Sequence, residues 1–328
     1  MRAWQVQGQG RPTEVLHLVD IDEPQPGPGE LRLRVRTVAV GLPDVFMCSG
    51  TYPLTPSGGA FVPGQEVCGI VDAVGDGVDV PIGTRLMAVT SFYDGRGGFA
   101  DVTVARAASA YRVPETMSDV DAASFRIGFS TAWIGLVRRG ALQAGEQLLA
   151  LGAAGGSGAT AVQLGKALGA RVLAVASGPE KLDFCRRMGA DVLIDRTTQD
   201  LRDAVLAATD GRGVDVVYDP VGGALADASV RAMAPFARLL AVGFASGTWA
   251  QPPTHQLVRA NASLVGVYPS GLTRADQEAD HEALLALHAQ GKLESFATVR
   301  SFAGLPDAVD AVATGGVIGK MVIDVAGS

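Results

Sequence analysis

Apolar and polar residues alternate along "LRLRVRTVAV" (31–40), the period of a strand with one buried face. "VCGIVDAVG" (67–75) follows a Pro-Gly turn and reads as a second strand. "GTRLMAV" (83–89) and "GFADVTVA" (98–105) repeat the pattern. "PQPGPGE" and "DGRGG" supply turn chemistry around these runs. Short strands separated by turns predict a barrel-like β unit over the first 125 residues.

Near Asp119 the period changes. "SDVDAASFRIGFSTAWIGLVRRG" (118–140) has helical spacing behind a Ser/Asp start. Strands then alternate with helices. The strands are "EQLLALGA", "RVLAVAS", "DVLID", "VDVVYDPVG", "ARLLAVGF" and "SLVGVYP", and the helices fall at 156–169, 179–188, 199–208 and 224–233. This βαβ order predicts a parallel sheet covered on both faces, which explains the almost wholly apolar strands. An amphipathic helix, "ADHEALLALHAQGKL", and a closing strand, "GKMVIDV", complete the pattern.

Composition narrows the function classes. A chain of 328 residues has room for two domains, and 48% hydrophobic with 19% charged residues is a globular balance. The net charge of −7 argues against a general nucleic-acid or membrane-surface role. No basic-then-apolar leader opens the chain and no long apolar run interrupts it, so a soluble cytoplasmic protein is expected. Cys48, Cys68 and Cys185 make no CxxC pair, and His17, His255, His281 and His288 lie at no ligand spacing. No structural zinc lobe is therefore expected, and no metal is the preferred reading; a catalytic zinc gathered from distant ligands is the alternative.

The most informative stretch is "LGAAGGSGATAVQLGKALGA" (151–170). Its glycines sit between a strand and a helix, with a second strand ending about 18 residues beyond Gly158, the layout of a dinucleotide-binding βαβ unit. Gly155 and Gly156 would let the backbone approach a pyrophosphate, and Gly158 would let the helix pack against the first strand. The helix start offers free N–H groups and the positive end of a dipole. Ala153 stands at the first glycine position of the usual pattern, which an unstrained turn permits. A tight turn without a ligand is the alternative.

The second strand's end bears on which dinucleotide fits. A carboxylate there would hold a ribose 2′-hydroxyl. Here "ASGPEK" (176–181) places no acid on the strand end. Ser177 can bond a phosphate, Lys181 lies one helical turn on, and Arg196 follows the third strand. This group would attract a 2′-phosphate, so NADPH is preferred. Solvated surface positions for Lys181 and Arg196 are the alternative.

Taken in order, "EPQPGPGELRLRVR", "GLPDVFMCSGTYP", "FVPGQEVCGIVDAVGDGV", the glycine segment through "ASGPEKL", "GRGVDVVYDPVGG" and "VGFASG" make the chain resemble the zinc-free quinone oxidoreductase branch of the medium-chain dehydrogenase/reductase superfamily. The resemblance runs nearly end to end. It implies an α/β fold with a GroES-like β-rich catalytic domain formed by residues 1–125 and 266–328, and a Rossmann doubly wound parallel-sheet domain at 126–265. It places the nucleotide on Gly155, Gly156, Ser157, Gly158, Ser177 and Lys181. It runs the backbone of Val242, Gly243 and Phe244 beside the nicotinamide ribose, and sets Gly319 and Lys320 near the cofactor. Zinc-dependent relatives carry a Cys and a His where this chain has Gly41 and Gln65. Where relatives often place a Tyr at the 2′-phosphate corner, this chain has Arg196. A homodimer is expected, with "SLVGVYP" as an edge strand that a second copy could pair.

The substrate pocket is expected around Gly41, Phe46 and Tyr52. Relatives carry Asn and Tyr where Gly41 and Phe46 stand, so the pocket should be roomier and less polar. Tyr52 is a candidate proton donor, with a turn-packing role as the alternative. Gln65 is a candidate substrate contact. Glu66 is expected to hold backbone or a cation. The reading is hydride transfer from NADPH to a quinone or related small-molecule electrophile. The alternatives are an enoyl or α,β-unsaturated carbonyl reductase and a non-catalytic NADPH-binding sensor.

Overall fold

The computed structural model describes residues 1–269 and 271–327. Strands β1 (Arg2–Val6) and β2 (Leu16–Asp20) pair antiparallel around the short helix α1 (Pro12–Val15). Then come β3 (Glu30–Val40), α2 (Leu42–Cys48), β4 (Glu66–Val74), β5 (Arg85–Thr90) and β6 (Val102–Arg112). β3 pairs with β4, β4 with β5, β5 with β6, and β6 returns to β3, all antiparallel. The ring closes because Leu31, Leu33 and Val35 alternate inward on β3 while Arg32 and Arg34 bond Asp72 outside.

Helix α3 (Asp119–Trp133) runs on as a π-helical stretch, Ile134–Arg139. The alternating region follows: β7 (Gln147–Ala150), α4 (Gly156–Ala167), β8 (Arg171–Ala176), α5 (Pro179–Arg187), β9 (Val192–Asp195), α6 (Leu201–Ala208), β10 (Val214–Asp219), α7 (Gly223–Ser229), β11 (Met233–Ala241), α8 (Thr254–Ala260), β12 (Ser263–Gly266) and α9 (Arg274–Ala289). Its six strands are parallel in the order β12-β11-β10-β7-β8-β9. Every residue of the central β10 is buried, as a strand covered on both faces requires. β12 is an edge. Finally β13 (Ala297–Ser301), α10 (Leu305–Ala313) and β14 (Lys320–Asp324) extend the first sheet, with β14 antiparallel to β3.

The chain divides into two compact units, Met1–Ile127 with Ser295–Ser328, and Gly128–Glu294. The sequence-based boundaries at 125 and 266 differ from these chiefly over residues 266–294. That stretch is fastened to the parallel-sheet unit by contacts no local pattern reveals. Arg138 Nε donates to Asp280 Oδ2 at 2.7 Å, and Gln163 exchanges two hydrogen bonds with the backbone of Glu294. Among the described residues, no helix is long and apolar enough to cross a membrane.

Candidate functional site

In the parallel-sheet unit, β7 enters the glycine segment at the strands' C-terminal ends. The left-handed step falls on Gly152, with φ of +57°, so Ala153 keeps an ordinary conformation and donates its N–H to Val175 O. This is why alanine serves at that position. A Cβ on Gly158 would lie 2.2 Å from Gly152 O, so only glycine lets α4 press onto the turn. Gly155 precedes the helix in an extended conformation, and no side chain caps the helix start. The first-turn N–H groups of Gly156, Ser157 and Gly158 lack intrahelical acceptors by the geometry of any helix. They form a cradle suited to a phosphate. Ser157 Oγ also lies 3.1 Å from the hydroxyl of Tyr218, a residue that is completely buried.

At the next corner, Arg196 Nε donates to Ser177 Oγ at 2.7 Å. The structure thus brings together two of the residues picked out for a ribose phosphate. Lys181 lies half-buried in the first turn of α5. Asp195, which sequence reasoning misses, organises the corner. Its Oδ1 accepts from Gly178 N and from both the N–H and hydroxyl of Thr197. The Thr197 hydroxyl and N–H hold its carboxyl below the ordinary value. The residue lies at the end of the third strand, where the dinucleotide pattern assigns no role.

β10 ends at Asp219, another residue that no sequence motif singles out. Its Oδ1 accepts from Val221 N and Gly222 N. Its Oδ2 is buried without a hydrogen-bond partner, and burial raises the carboxyl's pKa. Val242 N and Gly243 N both donate to Asp219 O, which ties the predicted ribose-side segment to this turn. A Cβ on Gly222 would come 2.1 Å from Thr248 O, so the segment can lie this close only over glycine. The rings of Phe244 and Trp249 meet at a tilt of 38°, 4.7 Å between centroids.

In the β-rich unit, the buried Asp44 joins two loops. Its Oδ2 accepts from Gly41 N at 2.8 Å and its Oδ1 from Gly64 N at 3.0 Å. Burial pushes its carboxyl up to about 6, against the lowering effect of those bonds and of Lys320. Glu66, also buried, accepts from Ile127 N through Oε1 at 2.6 Å and from Lys320 Nζ through Oε2 at 3.0 Å. Glu66 therefore holds both backbone and a cation, as the sequence suggests. Lys320, expected near a cofactor, is engaged in this ion pair. Gln65 Nε2 is buried without a hydrogen-bond partner, an amide donor available to an incoming acceptor.

Tyr52 follows the α2 turn, with its N–H donating to Phe46 O. Its ring lies 6.4 Å from that of Phe92 at the edge of the core. The three cysteines are buried, and burial pushes the thiols of Cys48 and Cys185 up to about 12 and about 11, so neither is a thiolate near neutrality. Among the described residues, no group of three or more His, Cys, Asp or Glu side chains is placed to hold a metal ion.

A closed antiparallel ring of strands and a six-stranded parallel sheet with a glycine-rich βα turn define a GroES-like unit and a Rossmann-like unit. Two family models match accordingly. The alcohol dehydrogenase GroES-like domain matches residues 27–115, and the zinc-binding dehydrogenase model matches 156–290. The chain is 33% identical to the quinone oxidoreductase-like protein 2 homolog of Nematostella vectensis over 78% of this chain and 70% of that protein. It is 35% identical to a phenolphthiocerol/phthiocerol polyketide synthase polypeptide of Mycobacterium tuberculosis over 88% of this chain, but spans only 13% of that protein. Mycobacterial Rv1454c, solved as a complex with NADPH, superimposes with a TM-score of 0.90 at 28% identity, covering 99% of this chain and 100% of that one. The chain belongs to the quinone oxidoreductase-like branch of the medium-chain dehydrogenase/reductase superfamily.

Proposed function

We propose that this protein is an NADPH-dependent oxidoreductase that reduces a quinone or a related small electrophile without zinc. The observation that carries the cofactor reading is the Arg196–Ser177 hydrogen bond beside β8, whose own end bears no acid, while the Asp195 carboxylate at this corner is engaged with Gly178 and Thr197. The cradle fits the rest of the group. Gly155, Gly156, Ser157 and Gly158 would hold the pyrophosphate, Ser177, Lys181 and Arg196 the 2′-phosphate, and Val242–Phe244 the nicotinamide side. Bound there, NADPH would supply a hydride, which carries both reducing electrons. The chain's own groups bind, orient and protonate. Gln65 would donate its buried N–H to a carbonyl oxygen, and Tyr52 would supply a proton to the reduced product. Gly41 and Phe46 would leave the substrate pocket wide and apolar.

Likeness to a polyketide synthase over 88% of this chain supports a second reading, reduction of an α,β-unsaturated carbonyl. The two readings part on substrate panels: turnover of quinones but no enone supports the first, and the reverse supports the second. NADPH and NADH dissociation constants test the cofactor. Tighter binding of NADH overturns the assignment of Ser177, Lys181 and Arg196.

A homodimer is part of the proposal. The edge strand β12 and its surroundings expose Leu264, Tyr268, Val258 and Phe236, an apolar margin that pairing with a second copy would cover. A monomeric mass by light scattering at micromolar concentration would remove this element.

A further inference from the structure

Tyr218 is a large, fully buried side chain on the central strand β10, and its hydroxyl reaches the first turn of α4. Space for its ring is made at Gly135, in the π-helical stretch, where a Cβ would lie 3.1 Å from Tyr218 Cε2. A buried phenol keeps its proton and needs an acceptor for it. Burial raises this phenol's pKa further, so it stays a donor at any working pH. Among the described residues, the hydroxyl's hydrogen-bond partner is Ser157 Oγ, and Ser157 Oγ has no other.

Each hydroxyl carries one hydrogen. When Tyr218 donates to Ser157 Oγ, the Ser157 hydrogen must point elsewhere. Ser157 is the second residue of α4, beside the N–H groups that face a phosphate. We propose that Tyr218 is a positioning residue for the dinucleotide's pyrophosphate: by donating to Ser157 Oγ it turns the serine hydroxyl into a donor toward a phosphate oxygen. The proposal rests on the dinucleotide reading above, but not on the choice between NADPH and NADH, since both carry the pyrophosphate. A valine or alanine at position 157 could not take part in such a relay.

The test is a direct titration of the purified protein with NADPH, NADH and adenosine 2′-monophosphate, which lacks the pyrophosphate. Tyr218→Phe removes only the oxygen. It should weaken both dinucleotides about 3- to 10-fold, the range of one lost hydrogen bond between neutral groups, and leave adenosine 2′-monophosphate unchanged. Ser157→Ala should cause the same loss, Ser157→Thr should restore most of the affinity, and the Tyr218→Phe/Ser157→Ala double variant should lose no more than either single variant. Unchanged dinucleotide binding in Tyr218→Phe overturns the proposal. So do equal losses for all three ligands, which mark a general packing defect, or losses that add in the double variant. If Tyr218→Phe does not fold, the Ser157 pair decides alone: Ala weakening the dinucleotides and Thr restoring them supports the role, and indifference refutes it. A wild-type protein that prefers NADH refutes the 2′-phosphate assignment while leaving this test intact.

Discussion

Replacing Lys320 by Met strands a buried charge. The ammonium lies 3.0 Å from Glu66 Oε2, the Glu66 side chain is 2% exposed, and that of Lys320 is 19% exposed. Two unit charges at that distance attract by about 5–6 kcal/mol at an effective dielectric of about 20. Desolvation of both ions offsets much of this, so the pair's net worth is small, but breaking it from one side is not. Glu66 in the Lys320→Met variant keeps its bond from Ile127 N yet has no counter-ion, which should cost about 3–5 kcal/mol. Glu66→Gln leaves the better-exposed partner unpaired and retains an oxygen for Ile127, so it should cost roughly 1–2 kcal/mol. The double variant carries neither charge of the pair and should recover to within about 1 kcal/mol of wild type. Urea unfolding of the four proteins at neutral pH reads these differences, and the apparent melting midpoint of Lys320→Met should fall by about 5–10 °C. Equal losses in the two single variants, or additive losses in the double, would refute the reasoning.

Four further outcomes follow from the geometry. Arg196→Ala should weaken NADPH about 10-fold or more with NADH little changed, read by titration. Tyr52→Phe should slow enone reduction more than quinone reduction, since a quinone's reduced oxyanion is already stabilised by its ring; an equal and negligible effect on both removes Tyr52 as proton donor. Gly158→Ala should destabilise the parallel-sheet unit by about 2 kcal/mol or more, because the new Cβ meets a backbone carbonyl that cannot swing away; a wild-type melting curve would contradict this. Asp44 titrates at about 6 in the folded protein, above the usual carboxylate, so the folded state holds its proton to higher pH. Its contribution to stability therefore declines as pH rises from about 4 to 6, and Asp44→Asn should flatten that part of the stability-versus-pH curve; a steeper curve in the variant would be the wrong sign.

The parallel sheet is legible in the sequence because its signals are local: apolar strands of four to nine residues, helices between them, and a glycine turn at the first βα junction. The short strands of the β unit are legible for the same reason. What escapes are relations across long separations. Helix α9 reads as amphipathic on its own, but its partner Arg138 stands 142 residues from Asp280. The Ser157–Tyr218 contact spans 61 residues and the Glu66–Lys320 pair 254. A lone Tyr in an apolar strand looks like core, and only the folded chain brings its oxygen to Ser157 at the start of α4. Asp195 escapes because the usual rule looks for an acid on the second strand, and it sits on the third.

The carboxylate of Asp44 grips two peptide N–H groups, those of Gly41 and Gly64, and needs no side chain from either loop to do so. The spacing between the loops that carry positions 41 and 65 is therefore written in main chain. The side chains at those positions hang from a frame that they do not themselves hold in place. A change of side chain at 41 or 65 should therefore leave the two loops at the distance that Asp44 sets.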